Sequence, residues 1–97
     1  MKMKTRPFDP AQYLDDETAM AAYLSEALET NDPAFIADAL GVLSRAHGMT
    51  EIARQTGLGR ESLYKALSPE GNPELQTVLK VLKALGLKLS AQTAAAA

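Results

Sequence analysis

Ninety-seven residues, 46% of them hydrophobic, suit one domain with a single modest core. The absence of cysteine excludes disulfides, thiolate zinc sites and thiol nucleophiles, and no apolar run approaches the roughly 20 residues of a membrane span. Net charge is −2, but unevenly spread: residues 1–48 hold four Lys/Arg against eight Asp/Glu, hence −4, and residues 49–97 hold six against four, hence +2.

The opening MKMKTRPFDP carries three cations but no apolar stretch behind them, so it does not read as a secretory signal, and a cytoplasmic protein is the simplest expectation. Phe8-Asp9-Pro10 pairs a cap residue with proline at a first helical position, which predicts a short turn through Tyr13 and Leu14. Asp15 or Asp16 then caps a first long helix with Glu17 in its first turn. Met20, Tyr23, Leu24, Ala27 and Leu28 recur at three and four, the period of an apolar helix face. Asn31-Asp32-Pro33 ends that helix and starts another, expected to bury Phe35, Ile36, Ala39, Leu40 and Leu43. Gly41 lies inside it at a cost of about 1 kcal/mol against alanine, which suggests a close neighbour. Gly48 is a natural stop, and His47 before it suits the negative end of the helix dipole better than a catalytic or metal role.

Residues 49–67, MTEIARQTGLGRESLYKAL, read as a helix-turn-helix. Two helices crossing steeply need a small contact residue, which Ala53 is, and a reversal with φ > 0, which Gly57 supplies. Ile52, Leu58 and Leu63 close the wedge, with Thr56 at its edge. With Leu63 pointing inward, 100° per residue puts Glu61 and Lys65 near the opposite side and Ser62 and Tyr64 on the flanks. Arg60 stands at the helix start, where a recognition helix presents side chains to base edges. Arginine can donate two bonds to guanine O6 and N7, glutamate can accept from cytosine N4, and lysine can reach guanine or phosphate. Glu61 and Lys65 are equally spaced for a surface ion pair, and Tyr64 suits a half-buried wall or a phosphate-contacting hydroxyl. Thr50 and Arg54, on the first helix of the motif, are placed for phosphate oxygens.

After a loop over residues 68–72, Asn72-Pro73-Glu74 reads as cap, first position and acidic first turn of a last helix. Leu75, Val78, Leu79, Leu82 and Leu85 are expected on its buried face, with Lys80 and Lys83 opposite. Gly86 ends it, Leu87 can pack back on the helix end, and residues 87–89 alternate as a short strand would. The sum is an all-α domain of five helices with a short N-terminal turn. It divides into an arm (1–14), the helix-turn-helix domain (15–90) and a flexible tail (91–97). Excess leucine near the end, in the last helix or residues 87–89, suggests a homodimer contact.

Beyond the motif, the chain resembles Cro/C1-type (lambda-repressor-like) domains, in which the second and third of five helices form the reading unit. It is similar more narrowly to the addiction-module antidote proteins encoded beside small RelE/ParE-like toxins. FDPAQYL, AAYLSEAL, NDPAFIADALG, GMTEIARQTGLGRESLYKALS and GNPELQTVLKVLKALGLKL carry that likeness. The resemblance implies a prokaryotic antitoxin that neutralises a basic toxin, binds double-stranded operator DNA and represses its own operon, nucleoid-associated when bound. With one histidine, no cysteine and an acidic cluster at residues 15–17 that a helix start explains, no enzyme activity, cofactor or metal is expected. The family's DNA-facing positions fall on Thr50, Arg54, Arg60, Glu61 and Lys65. Gly59 departs from the pattern, since it stands where serine is expected as the cap of the recognition helix. The acidic first half is the expected toxin surface. Two other readings remain: a repressor without a toxin, and an interaction module that keeps the fold without binding DNA. The sequence pI of 5.3 favours the module.

Overall fold

The computed structural model describes residues 16–94 as five helices: α1 (Glu17–Glu29), α2 (Pro33–His47), α3 (Met49–Thr56), α4 (Arg60–Ala66) and α5 (Leu75–Leu85). No strand occurs among the described residues, and the turn expected through Tyr13 and Leu14 lies outside them.

The first two helices are set by side-chain caps. Of the two candidate aspartates it is Asp16 that caps α1, accepting from the Ala19 N–H at 2.7 Å. Asp32 caps α2 by accepting from Ala34 N–H at 3.0 Å and Phe35 N–H at 3.4 Å, and Pro33 opens the helix where no intrahelical N–H is needed. Between them the Thr30 hydroxyl donates to the Ala27 carbonyl at 2.6 Å and accepts from the Asp32 N–H at 3.1 Å, while Asn31 takes φ 55°. These local bonds fold α1 back on α2.

Helix α2 is the centre of the molecule and packs on all four others. Its Leu40 and Leu43 meet Met20 and Leu24 of α1, Met49 and Ile52 of α3, Leu63 and Leu67 of α4 and its end, and Val81, Leu82 and Leu85 of α5. Ala37, Gly41 and Ser44 form a buried small-residue stripe along it, and the Ser44 hydroxyl finds no hydrogen-bond partner among the described residues. A Cβ on Gly41 would collide with the carbonyl oxygen of Leu67, so the suspected close neighbour is the backbone where α4 ends.

Several expectations shift. Phe35 is 48% exposed, because Ile36, Leu40 and Leu43 define the inner side of α2 and a residue five before Leu40 falls about 140° away. Helix α5 begins at Leu75, two residues late: Glu74 is its cap and makes no side-chain bond, while Asn72 and Pro73 lie in the extended approach beside α2. Its buried face is Val78, Val81, Leu82 and Leu85, which leaves Leu75 and Leu79 exposed. Leu87 does fold back as expected, its N–H donating to Leu82 at 2.8 Å, but residues 87–89 form no strand. No helix of the described residues is long and apolar enough to cross a membrane.

Candidate nucleic-acid interface

The turn between α3 and α4 is built from its own side chains. Thr56 donates to the Ile52 carbonyl at 2.7 Å, closing the last turn of α3, and accepts from the Leu58 N–H at 3.3 Å. Gly57 adopts the left-handed conformation (φ 75°, ψ 12°) that reverses the chain, and its N–H bonds the Ala53 carbonyl at 2.9 Å. Leu58 then packs on the core beside half-buried Ala53, and fully buried Ile52 and Leu63 hold the two helices from within. Small residue, glycine and leucine do the mechanical work their spacing implied.

With Leu63 buried, every other side chain from Arg60 to Lys65 is exposed, which gives Arg60, Glu61, Ser62, Tyr64 and Lys65 one outer surface on a helix of seven residues. Arg60 lies over the Tyr64 ring, its guanidinium carbon 5.8 Å from the ring centre, a cation–π placement that holds the arginine along the helix. Glu61 and Lys65, by contrast, form no ion pair. Gly59 caps α4 with an extended backbone (φ −72°, ψ 146°) and no side-chain bond, as its lack of a hydroxyl requires.

On α3, Thr50 is exposed and Arg54 is engaged. Arg54 Nε donates to Glu51 at 3.1 Å, its terminal nitrogen bonds the other carboxylate oxygen, and Gln55 adds a bond to that same oxygen at 2.6 Å. Those bonds, from Arg54 first and Gln55 second, pull the Glu51 carboxyl down to about 2. Sequence reasoning gave Arg54 to phosphate and passed over Glu51, although a carboxylate three residues before an arginine is the spacing of a helical ion pair. Among the described residues no group of His, Asp and Glu is arranged to hold a metal ion.

The arrangement offers no convergent acid, base and nucleophile. It offers a short, firmly seated helix whose outer side carries two cations, a carboxylate and two hydroxyls that both donate and accept, the chemistry of recognition. The helix-turn-helix falls on the third and fourth of five helices, rather than on the second and third as the resemblance implied.

Comparison with known proteins agrees with a neutralising role and not an enzymatic one. No solved structure matches the chain. An uncharacterized protein of Haemophilus influenzae is 45% identical over 92 residues, covering 95% of this chain and 95% of that protein. The family model described as "Probable addiction module antidote protein" matches residues 4–93, nearly the whole length. The chain belongs to that antidote family.

Proposed function

We propose that this protein is the DNA-binding antitoxin of a type II toxin–antitoxin module, using a Cro/C1-type helix-turn-helix to repress its own operon while it neutralises a RelE/ParE-like toxin. The observation that carries the DNA half is the outer surface of α4: five exposed polar side chains on a helix anchored by one buried leucine behind a glycine turn. Arg60 reads a guanine edge, Lys65 a guanine or phosphate, and Glu61 a cytosine amino group, with Ser62 and the Tyr64 hydroxyl at flanking phosphates or bases. Thr50 and Arg54 bond the phosphate backbone, and the Gly59 N–H lies at the approach to it. For Arg54 this means exchanging Glu51 for phosphate.

A net charge of only +2 on residues 49–97 gives weak phosphate attraction per copy, which favours a homodimer adding the contacts of two half-sites. Leu75 and Leu79 of the last helix, and Leu89 after it, are exposed apolar residues available for such a contact.

A salt-titrated binding assay on DNA from the protein's own promoter tests the reading. Wild type is expected to bind with an affinity that falls steeply as salt rises. Arg60→Ala is expected to cost about 1–3 kcal/mol, roughly five- to 150-fold, and to relax preference at one base pair per half-site. Lys65→Ala should weaken binding to all sequences alike where Lys65 meets phosphate, and relax preference at one base pair where it meets guanine. Absence of specific binding at low salt would leave an interaction module built on this fold.

A further inference from the structure

Away from α3 and α4, the start of α2 and the approach to α5 enclose an open groove of about 290 Å³. Pro33, Ile36, Ala37 and Leu40 form one wall, and Pro73 and Val78 the other. The volume is at the small end of ligand pockets, room for one or two anchoring side chains rather than a cofactor. Leu75, three residues before Val78 and turned between Val78 and Leu79, extends the apolar surface outward beyond the groove and is 65% exposed. That exposure is not what folding needs, since the core closes on Val78, Val81, Leu82 and Leu85.

Charge selects the occupant. The immediate chain neighbours of the lining residues include Asp32, Asp38 and Glu74 and no Lys or Arg. More widely, residues 16–48 contain six carboxylates against one Lys or Arg, Arg45, whose guanidinium lies beside Gly41. An apolar groove in an anionic surround repels nucleic acid and attracts a cationic protein, because the field steers encounter and the buried anchor slows release.

We infer that this groove is where the antidote grips its toxin, taking an apolar side chain that the toxin presents between Lys or Arg residues. The inference rests on the neutralising reading above and adds its surface. Asn31 and Asn72, at the groove's margin, supply amides for the backbone of such a segment. No lining residue belongs to the proposed DNA surface, so the two ligands do not compete for the same side chains.

The test uses the full chain and the purified product of the reading frame adjacent to its gene. Binding is measured for wild type, Leu75→Glu, Glu74→Lys and, as a control, Arg60→Ala. Leu75 is exposed and the Glu74 side chain makes no cap bond, so Leu75→Glu should melt as wild type does and Glu74→Lys only a few degrees lower, the cost of a cation at a helix start. Leu75→Glu is expected to weaken toxin binding tenfold or more, and Glu74→Lys several-fold with a shallower salt dependence. Both should keep promoter binding, and Arg60→Ala should weaken it while keeping the toxin. Toxin binding within twofold of wild type in both groove variants would overturn the surface and leave the neutralising reading standing. Failure of wild type to bind that product would overturn both. If Leu75→Glu instead converts a dimer to a monomer in sedimentation with toxin binding unchanged, the groove belongs to a second copy and the inference falls.

Discussion

Residues 16–48 and residues 49–94 share one core and present opposite surfaces. The first carries six carboxylates against one Lys or Arg, Arg45; the second carries six Lys/Arg against four Asp/Glu. Their helix starts differ in the same sense. Both helices that begin in the first region are capped by an aspartate side chain, whereas α3, α4 and α5 begin at Gly48, Gly59 and Glu74 with no side-chain cap bond. A carboxylate cap stabilises a helix start, but on a surface meant for phosphate it would repel the ligand. On the proposed reading the α1–α2 region faces no nucleic acid and is free to use such caps. The α3–α4 region relies on packing instead: Ile52, Leu63 and Leu67 are essentially inaccessible to solvent.

The strongest way to break the comparison is at the joint. Gly41 of α2 lies against the carbonyl of Leu67, where α4 ends, and a side chain there forces the two regions apart. Gly41→Val is expected to destabilise by about 3 kcal/mol, since overpacking outweighs any gain in helix propensity. In a domain of this size that lowers Tm by about 12 °C or more, readable by thermal melting. An unchanged Tm would mean the regions are not coupled through this contact.

A smaller change sharpens the contrast. Glu51 is the carboxylate nearest the proposed phosphate contacts, and it occupies Arg54. Glu51→Gln is expected to tighten promoter binding about fivefold and to steepen its salt dependence, as a freed arginine releases one more counterion. The effect on folding is slight because the pair is exposed. Its sign is fixed by the depressed carboxyl: the contribution is present above the ordinary value of 4.5 and is lost as pH falls from there toward about 2. At neutral pH the variant should melt within a degree or two of wild type, and a large loss there would show that the pair matters to the fold.

The parts of this molecule legible in its sequence are those governed by neighbours along the chain. Asp32-Pro33 and Asp16-Glu17 fix helix starts through bonds spanning two or three residues, and Gly57 fixes the turn through its own φ. Buried Leu63 set the exposed side of α4 by rotation alone. What escaped depends on which helix lies alongside. In a helix as rich in leucine and valine as α5, the period admits two apolar faces, and only packing on α2 and α3 chooses Val81 over Leu79. Asn72-Pro73 has the pattern of a helix start, yet Pro73 sides with the groove wall and the helix waits for Leu75. The alternation at 87–89 would need a neighbouring strand, and none of the described residues provides one. On the candidate interface, position was readable but pairing was not: Arg60 over Tyr64 and Arg54 on Glu51 both alter how freely an arginine reaches a ligand.

The finest test separates helix capping from charge at a single position. Gly59 holds φ −72°, which any residue adopts, and an added Cβ would meet only the Ser62 hydroxyl at an ordinary 3.9 Å. Gly59→Ser should therefore fit and accept from the N–H of Glu61 or Ser62, stabilising by about 0.5 kcal/mol, or 2–4 °C in Tm. Gly59→Asp should gain a similar amount, since aspartate caps as well as serine does and its charge suits the helix dipole. On promoter DNA the two should part. A firmer start to α4 steadies Arg60, so serine should hold or modestly improve affinity, while aspartate sets a carboxylate beside the phosphates and should lose several-fold. Equal DNA affinity of the two variants would mean that the start of α4 does not approach the backbone, and would move the proposed contact toward Lys65. The predicted split instead gives a physical reason why a glycine suits this cap: α1 and α2 can begin on aspartate, whereas a helix start facing phosphate cannot carry that charge.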